Sequence, residues 1–427
     1  MICEKGGVDV QKLIINGGSV LKGEINLQGA KNSSLPILAG TFLADGESVI
    51  NNCPKLSDIY SACRILTHLG CRCSTAGNTV TVSGGNYGIY SIPDELMREM
   101  RSSIVFLGAV LGRYGKCSLS LPGGCELGPR PVDMHLSSLR RMGVTICEKY
   151  GMIECRAENG LKGAKISLQF PSVGATENII LAGVTANGIT EIHNAAREPE
   201  ITDLADYLIK CGAKIKGAGE STVIIEGVKK LKGCEYEVMP DRIAAATYIA
   251  AAAASGGEIK INKIRYSDVD SFTNIFEQMG CKIYSYKDMM YVKAPEIIKP
   301  VKNIRTMPYP GFPTDAQAVV MAVLCKADGT SIFEENIFES RYKHVDGLLR
   351  MGADIKVSGK TAIVEGRKKL YGTKVSATDL RGGAAMVIAG LSAEGITEVS
   401  DISHIDRGYE AIENVLSALG AEIKRSD

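Results

Sequence analysis

Two kinds of apolar segment alternate along the chain. Leu35–Leu43, Ile104–Leu111, Asn178–Val184, Ala244–Ala254, Ala316–Leu324 and Ala384–Leu391 are apolar nearly all round, which predicts helices buried on every side. Between them lie amphipathic stretches such as Asp203–Leu208 and Tyr409–Leu419, where apolar positions recur at helical spacing and leave one polar face. Each amphipathic helix ends on an apolar-Gly-apolar step and runs into an alternating strand, as in Ala213-Lys214-Ile215-Lys216. Glycine suits that place because a helix C-cap often needs a left-handed backbone.

The step occurs at Leu69-Gly70-Cys71, Met142-Gly143-Val144, Cys211-Gly212-Ala213, Met279-Gly280-Cys281, Met351-Gly352-Ala353 and Leu419-Gly420-Ala421, at intervals of 73, 69, 68, 72 and 68 residues. A period near 70 excludes the short solenoid repeats, and a unit of that size is too small to bury its own faces, so units are expected to share cores. A second series, Gly46, Gly115, Gly188, Gly256, Gly329 and Gly395, is expected to close the buried helices. Counting back 14 residues from each lands on Asn32, Arg101, Gly174, Arg242, Asp315 and Arg381, predicted helix N-termini. The unit reads strand, buried helix, strand, outer helix, strand, strand. Six units make two domains of three: an α/β (α+β) architecture, a ring of sheets around buried helices in each domain. Helix N-termini of both domains would face one cleft, where anionic small molecules would bind.

A basic residue stands before the outer helix of every unit: Lys55, Arg130, Arg197, Arg265, Arg341 and Arg407. The helix dipole disfavours a cation there, so some units are expected to aim these groups at a shared anion. The alternative is that each arginine ties a loop to the preceding unit's carbonyls, a reading that fits Arg197 and Arg265 best.

Composition narrows the ligand class. Lys+Arg 49 against Asp+Glu 48 leaves a formal charge of +1, without the basic excess that nucleic acid or an anionic membrane demands. With no Trp and 6% aromatics, stacking platforms for single strands are hard to assemble. The first residues lack the apolar core of a signal peptide and no apolar stretch is long enough to span a bilayer, so the expected location is cytoplasmic. Thirteen cysteines with no CxxC pair fit reduced, mostly buried thiols better than disulfides or zinc ligands, and the five histidines share no metal-like spacing. Neither a metal nor a cofactor is expected.

Two loops combine glycine, proline and reactive groups: Leu121 to Asp133 and Pro310 to Asp315. Cys125, between Gly123-Gly124 and Gly128, is expected to be exposed, with Arg130 near enough to lower its pKa. It reads as a thiol acid, base or nucleophile, or else an idle loop thiol. Asp315 reads either as an N-cap carboxylate or as a base for an alcohol, and Asp379 carries the same two readings. His135 and His404 are expected near phosphate, while His68, His193 and His344 are expected to be structural.

The motifs Gly29-Ala30-Lys31-Asn32-Ser33, Met100-Arg101-Ser102-Ser103, Pro122-Gly123-Gly124-Cys125, Gly128-Pro129-Arg130-Pro131-Val132-Asp133, Pro171-Ser172-Val173-Gly174-Ala175-Thr176, Ala196-Arg197-Glu198-Pro199-Glu200-Ile201, Phe312-Pro313-Thr314-Asp315, Thr378-Asp379-Leu380-Arg381 and His404-Ile405-Asp406-Arg407-Gly408-Tyr409-Glu410 resemble, in order, those of the bacterial UDP-N-acetylglucosamine enolpyruvyl transferases of the EPSP synthase superfamily. The resemblance implies two inside-out α/β barrel domains of three repeats, residues 31–239 and residues 1–30 with 240–427, with the active site in the cleft between them. It implies transfer of the enolpyruvyl group of phosphoenolpyruvate to the 3-hydroxyl of UDP-N-acetylglucosamine by addition and elimination, releasing phosphate, as the first committed step of peptidoglycan synthesis. By the same resemblance, Lys31, Arg130 and Arg407, with Asn32 beside them, would bind the phosphate of phosphoenolpyruvate, and Arg341 and Arg381 its carboxylate. Asn32, Arg101, Arg130, Pro131, Val132, Asp133, Met134, Ser172, Val173, Gly174, Asp315 and Ile337 would bind the UDP-sugar. Cys125, Asp315, Lys31, Arg407 and Asp379 would be catalytic, with Cys125 the proton donor and the residue alkylated by fosfomycin. No protein partner is implied.

The chain departs from the family at Ala244-Ala245-Ala246, where Glu-Ala-Gly is usual, and at Ser340, where Asn is common. Two other readings remain at this point. One is the sister enzyme that makes 5-enolpyruvylshikimate-3-phosphate, against which the Cys125 loop and Arg130–Asp133 speak. The other is a catalytically silent UDP-sugar-binding regulator, favoured if the three alanines distort the cleft.

Overall fold

The computed structural model describes residues 11–84, 88–120 and 132–426. Cys125, Arg130 and Pro131 therefore lie outside the described residues. The chain divides into two compact units. One comprises Gln28–Asp241 with Pro308–Pro310; the other takes Arg242–Met307, the chain from Gly311 onward and the described residues up to Leu27.

Each all-apolar run is a helix: Lys31–Thr41, Phe106–Tyr114 led by a tight turn at Arg101–Val105, Val173–Gly183, Arg242–Ser255, Thr314–Leu324 and Leu380–Ser392. Asn32, Arg101, Gly174, Arg242, Asp315 and Arg381 take the first or second position of these elements. All twelve landmark glycines have positive φ, from 66° to 135°. Those of the first series terminate outer helices, as expected. The second series departs from expectation: only Gly115 and Gly256 directly follow a buried helix, and what the six share is a turn into the next strand.

Six four-stranded sheets repeat one topology. In the third, Lys165–Ser167 runs parallel to Ile189–His193 across the buried helix Val173–Gly183, and the hairpin Lys214–Lys216 and Thr222–Glu226 completes it antiparallel. Burial alternates along such strands, Val223 and Ile225 inward and Ile224 outward, so each sheet gives one face to the helices. Helices Arg242–Ser255, Thr314–Leu324 and Leu380–Ser392 pack on one another, and each unit holds one continuous apolar core. Helices thus lie inside and sheets outside within each unit, and no described sheet closes on itself.

The expected contiguous unit holds for three of the six sheets. Lys22–Asn26, the strand preceding Lys31–Thr41, pairs instead with Glu258–Asn262, which belongs to the same compact unit as this strand. Glu235–Glu237, preceding Arg242–Ser255, pairs with Glu47–Asn51. Lys12–Asn16 lies between Ile396–Ser400 and Glu422–Ser426 and supplies the hairpin strand that the last repeat lacks. Periodicity identifies strands but not partners: the chain leaves one compact unit at Gln28 and the other at Arg242, and the strand before each passage pairs within the unit being left, in a repeat other than that of the helix that follows it.

Ala244, Ala245 and Ala246 are wholly buried in an unbroken helix. Eight of the eleven described cysteines are buried and all eleven are free thiols. Among the described residues no helix is long and apolar enough to cross a membrane.

Candidate active site

In the unit that contains residues 311–426, the second residue of a buried helix meets two arginines. Asp315 follows the Pro313 N-cap of Thr314–Leu324 and does not cap the helix itself, contrary to one of its two expected readings. Its Oδ1 accepts a hydrogen bond from Arg341 Nη2 at 2.8 Å and its Oδ2 one from Arg381 Nη2 at 3.3 Å. The arginine side chains are only 3% and 6% exposed, against 29% for Asp315. Two nearly buried guanidiniums therefore converge on one half-buried carboxylate. Such forks are built for a planar anion with two oxygens.

The surrounding contacts fix each partner. Arg341 Nη2 also donates to Thr314 O at 3.1 Å. Glu335, buried, accepts from the Thr306 and Thr314 hydroxyls, each at 3.0 Å, and from the backbone N–H groups of Ile337 and Phe338, so it shapes the turn that carries Ile337. Arg381 Nη1 donates to the Tyr409 hydroxyl at 3.1 Å, and that hydroxyl lies 2.8 Å from Thr247 Oγ1. Asp379 caps Leu380–Ser392: its Oδ1 accepts from the N–H groups of Arg381 and Gly382 at 2.9 and 3.1 Å. His344 Nδ1–H donates to Arg341 O at 3.2 Å. Burial pushes His344 down to about 4, against the pull of Asp379, so it is neutral, as its structural reading requires. Arg407 follows the short helix Ser403–Asp406 and is half-buried, as is His404.

In the other unit, Lys31 opens Lys31–Thr41 and its ammonium lies 3.3 Å from Asp58 Oδ2 in a largely buried pair. Asn32 follows, exposed, and Arg101 opens its own turn, half-buried. Ser172 caps Val173–Gly183 by accepting from Ala175 N. Val132 is the N-cap of the helix Asp133–Arg141, which opens on Asp133 and Met134 and has His135 as its third residue. Asn178 joins these elements: its Nδ2 donates to His135 Nδ1 at 2.9 Å and to Ile104 O at 3.1 Å, and its Oδ1 accepts from Gly108 N at 2.6 Å. A Cβ on Gly174 would stand 3.1 Å from His135 Cε1, so glycine is what lets the two helix starts approach.

His135 corrects an expectation. Burial lowers its pKa to about 4 and its Nδ1 is an acceptor for Asn178, so it is a neutral packing residue and no cation for phosphate. Arg197 donates from Nε to Gly219 O, a backbone tie within its own repeat rather than to the preceding one as expected. Asp58, Asn178, Glu335, Thr247 and Tyr409 escaped the sequence reading. The first four sit in no motif, and Tyr409 was visible only within the motif His404 to Glu410 and as the start of an amphipathic stretch, with no role assigned to it. Also unforeseen is the buried Glu177, whose pKa burial raises well above the carboxylate range, with Glu200 and Glu198 adding to the shift. Arg341, Arg381 and Asp315 come together, whereas Lys31, Asn32, Arg101 and Ser172 to Gly174 belong to the other unit. Among the described residues no three His, Cys, Asp or Glu side chains form a metal-ligand group.

Comparison with known proteins places the chain in a family. The family model for EPSP synthase (3-phosphoshikimate 1-carboxyvinyltransferase) matches residues 15–416. A UDP-N-acetylglucosamine 1-carboxyvinyltransferase 2 from Caldanaerobacter subterraneus subsp. tengcongensis is 50% identical over 414 residues, covering 97% of this chain and 99% of the relative. A UDP-N-acetylglucosamine 1-carboxyvinyltransferase from Trichlorobacter lovleyi is 48% identical over 416 residues, with the same coverage. Among solved structures, the enolpyruvyl transferase NikO from Streptomyces tendae shares the fold with a TM-score of 0.86 at 23% identity, over 98% of this chain and 99% of that one. EPSP synthase from Acinetobacter baumannii does so at 0.76 and 20%, over 98% and 100%. The chain belongs to the EPSP synthase family of enolpyruvyl transferases. Within that family, the relatives at 45–50% identity are UDP-N-acetylglucosamine 1-carboxyvinyltransferases.

Proposed function

We infer that this protein is a UDP-N-acetylglucosamine 1-carboxyvinyltransferase, which moves the enolpyruvyl group of phosphoenolpyruvate to the sugar 3-hydroxyl and releases phosphate, the first step of peptidoglycan synthesis. The observation that carries the reading is the nearly buried pair Arg341 and Arg381 closing on a carboxylate at a helix start. Near-full-length similarity to transferases of that name supports it, rather than the shikimate-linked sister activity. The unbroken helix through Ala244–Ala246 speaks against a distorted, silent relative.

In the proposed reaction, protonation of the methylene carbon makes C2 electrophilic, the 3-hydroxyl adds there, and its proton passes to a base. Phosphate then leaves as the new methyl group gives up a proton, restoring the double bond. Arg341 and Arg381 take the substrate carboxylate, Lys31, Arg130 and Arg407, beside Asn32, its phosphate, and Cys125 is the acid. The UDP-sugar falls to Arg101, Val132 to Met134, Ser172 to Gly174 and Ile337, alongside Arg130 and Pro131. Asp315 holds the place of the incoming carboxylate; when phosphoenolpyruvate binds, its hold on the arginines loosens and it becomes available to the hydroxyl. Asp379 holds the start of the helix that bears Arg381, and its Oδ2, with no hydrogen bond among the described residues, is the candidate second proton acceptor. The reaction is placed in the cytoplasm and calls for no metal, cofactor, nucleic acid, membrane or protein partner.

Phosphate release tests this directly. Turnover is expected only with phosphoenolpyruvate and UDP-N-acetylglucosamine together, and is expected to collapse in Cys125→Ala. Release with shikimate-3-phosphate in place of the UDP-sugar would overturn the assignment.

A further inference from the structure

Arg425 lies in the last strand, Glu422–Ser426, half-exposed and outside every motif named above. It is nevertheless heavily engaged. Its Nη1 and Nη2 grip both oxygens of Asp406 at 2.9 and 2.7 Å, and its Nε and Nη2 reach both oxygens of Glu413 at 2.8 and 3.3 Å. A further bond runs from Nη1 to Gln11 Oε1 at 3.3 Å. The strand does not depend on this side chain, because backbone pairing along Lys12–Asn16 already holds it in register.

Asp406 ends the helix Ser403–Asp406 and Glu413 is the second residue of the helix Ile412–Ala418, so the two flank a short irregular segment. Inside it stand Arg407, Gly408, Tyr409 and Ala411. A Cβ on Gly408 would come within 2.6 Å of Leu380, so the segment is pressed onto the first residue of Leu380–Ser392. Ala411 takes φ 43° and ψ 62°, a left-handed conformation that a residue with a Cβ holds only when its surroundings enforce it. Buried Tyr409 accepts the Arg381 Nη1 hydrogen bond, and the Arg381 guanidinium also lies 5.7 Å from the Tyr409 ring centroid. One segment thus carries Arg407 itself and the side chain that anchors Arg381.

We propose that Arg425 is a positioning residue for phosphoenolpyruvate: by gripping both ends of segment 406–413 it sets where Arg407 stands and, through Tyr409, where the Arg381 guanidinium points. The inference rests on the reading that Arg381 and Arg407 receive that substrate. A planar fork with donors along two edges grips both carboxylates bidentately and fixes their directions, which the compact point charge of an ammonium does not.

The test is phosphate-release kinetics in which each substrate is varied in turn. Arg425→Met keeps the length and removes every donor. Its KM for phosphoenolpyruvate is expected to rise about tenfold or more while that for UDP-N-acetylglucosamine stays within about twofold, because the loss falls on charge-assisted bonds that orient only one ligand set. Arg425→Lys is expected to recover part of the loss, and added guanidinium ion, well below denaturing concentration, to recover part of it in Arg425→Ala. If Arg425→Met does not fold, Glu413→Gln, which weakens one arm, is expected to shift KM the same way by less. Equal rises in both KM values, or an unmoved phosphoenolpyruvate KM alongside a lowered melting temperature, would overturn the proposal. Arg407→Met and Arg381→Met serve as reference variants. If they raise the phosphoenolpyruvate KM and the Arg425 and Glu413 variants do not, positioning by Arg425 is refuted and the site reading stands; if neither reference variant raises it, the site reading falls and takes this proposal with it.

Discussion

Asp315 is the counter-charge for two side chains that are almost out of water, Arg341 and Arg381. Removing one member of such a group leaves like charges buried together, a loss that runs to roughly 3 kcal/mol. Asp315→Ala is therefore expected to melt several degrees below the wild type. Phosphoenolpyruvate should close part of that gap, because its carboxylate replaces the missing one. Thermal melts with and without the ligand check this, and a variant as stable as wild type without ligand would show that Asp315 neutralises nothing. At this scale the sequence is informative where side chains are chemically unusual for their position. Basic residues at helix starts pointed to Arg341 and Arg407, and an acid at the start of an apolar run pointed to Asp315. Tyr409, Thr247 and Asp58 are ordinary residues whose importance comes only from what folding brings beside them, and His135 misled because nearness in sequence to Arg130 says nothing of burial.

Helix starts and helix ends use glycine for different reasons. At Gly212, φ is 105° and a side-chain carbon added there would have nothing within 4 Å, so Gly212→Ala meets backbone strain alone, about 1 kcal/mol. It should lower the melting temperature slightly and leave both KM values unchanged. At Gly174 an added Cβ would press on His135, which Asn178 locks to two further elements. Gly174→Ala is expected to raise the KM for UDP-N-acetylglucosamine several-fold while that for phosphoenolpyruvate holds, and kinetics on the two variants separate the cases. The repeat made element order, buried helices and their first residues legible. It could not reveal strand exchange between repeats, since Lys22–Asn26 and Glu235–Glu237 carry the same pattern as strands that stay in their own repeats.

Over the whole molecule, buried titratable groups oppose one another. His135 and His344, one in each unit, have folded pKa values near 4, below the free imidazole value of 6.5. The unfolded chain binds their protons first, so the stability they confer is present above pH 6.5 and is lost as pH falls toward 4. Glu177 behaves in the opposite sense: its folded pKa is raised, so the unfolded chain ionises first and stability falls as pH rises above about 4.5. Glu177→Gln should accordingly melt higher than wild type at pH 7.5, the difference shrinking as pH drops to 4.5. Melting curves across that range check both signs, and a Gln variant less stable at neutral pH would mean that the carboxylate is ionised and paired.

The exchanged strands also fix an order of events during synthesis. A ribosome releases Lys12–Asn16 and Lys22–Asn26 well before their partners, Glu258–Asn262, Ile396–Ser400 and Glu422–Ser426, emerge. Gln28–Asp241 can assemble its sheets while the remainder is still being translated. Ile25 thus waits for residues 258–262, while Leu13 and Ile15 wait until residues 396–426 are made, their strand unpaired and open to chaperones throughout.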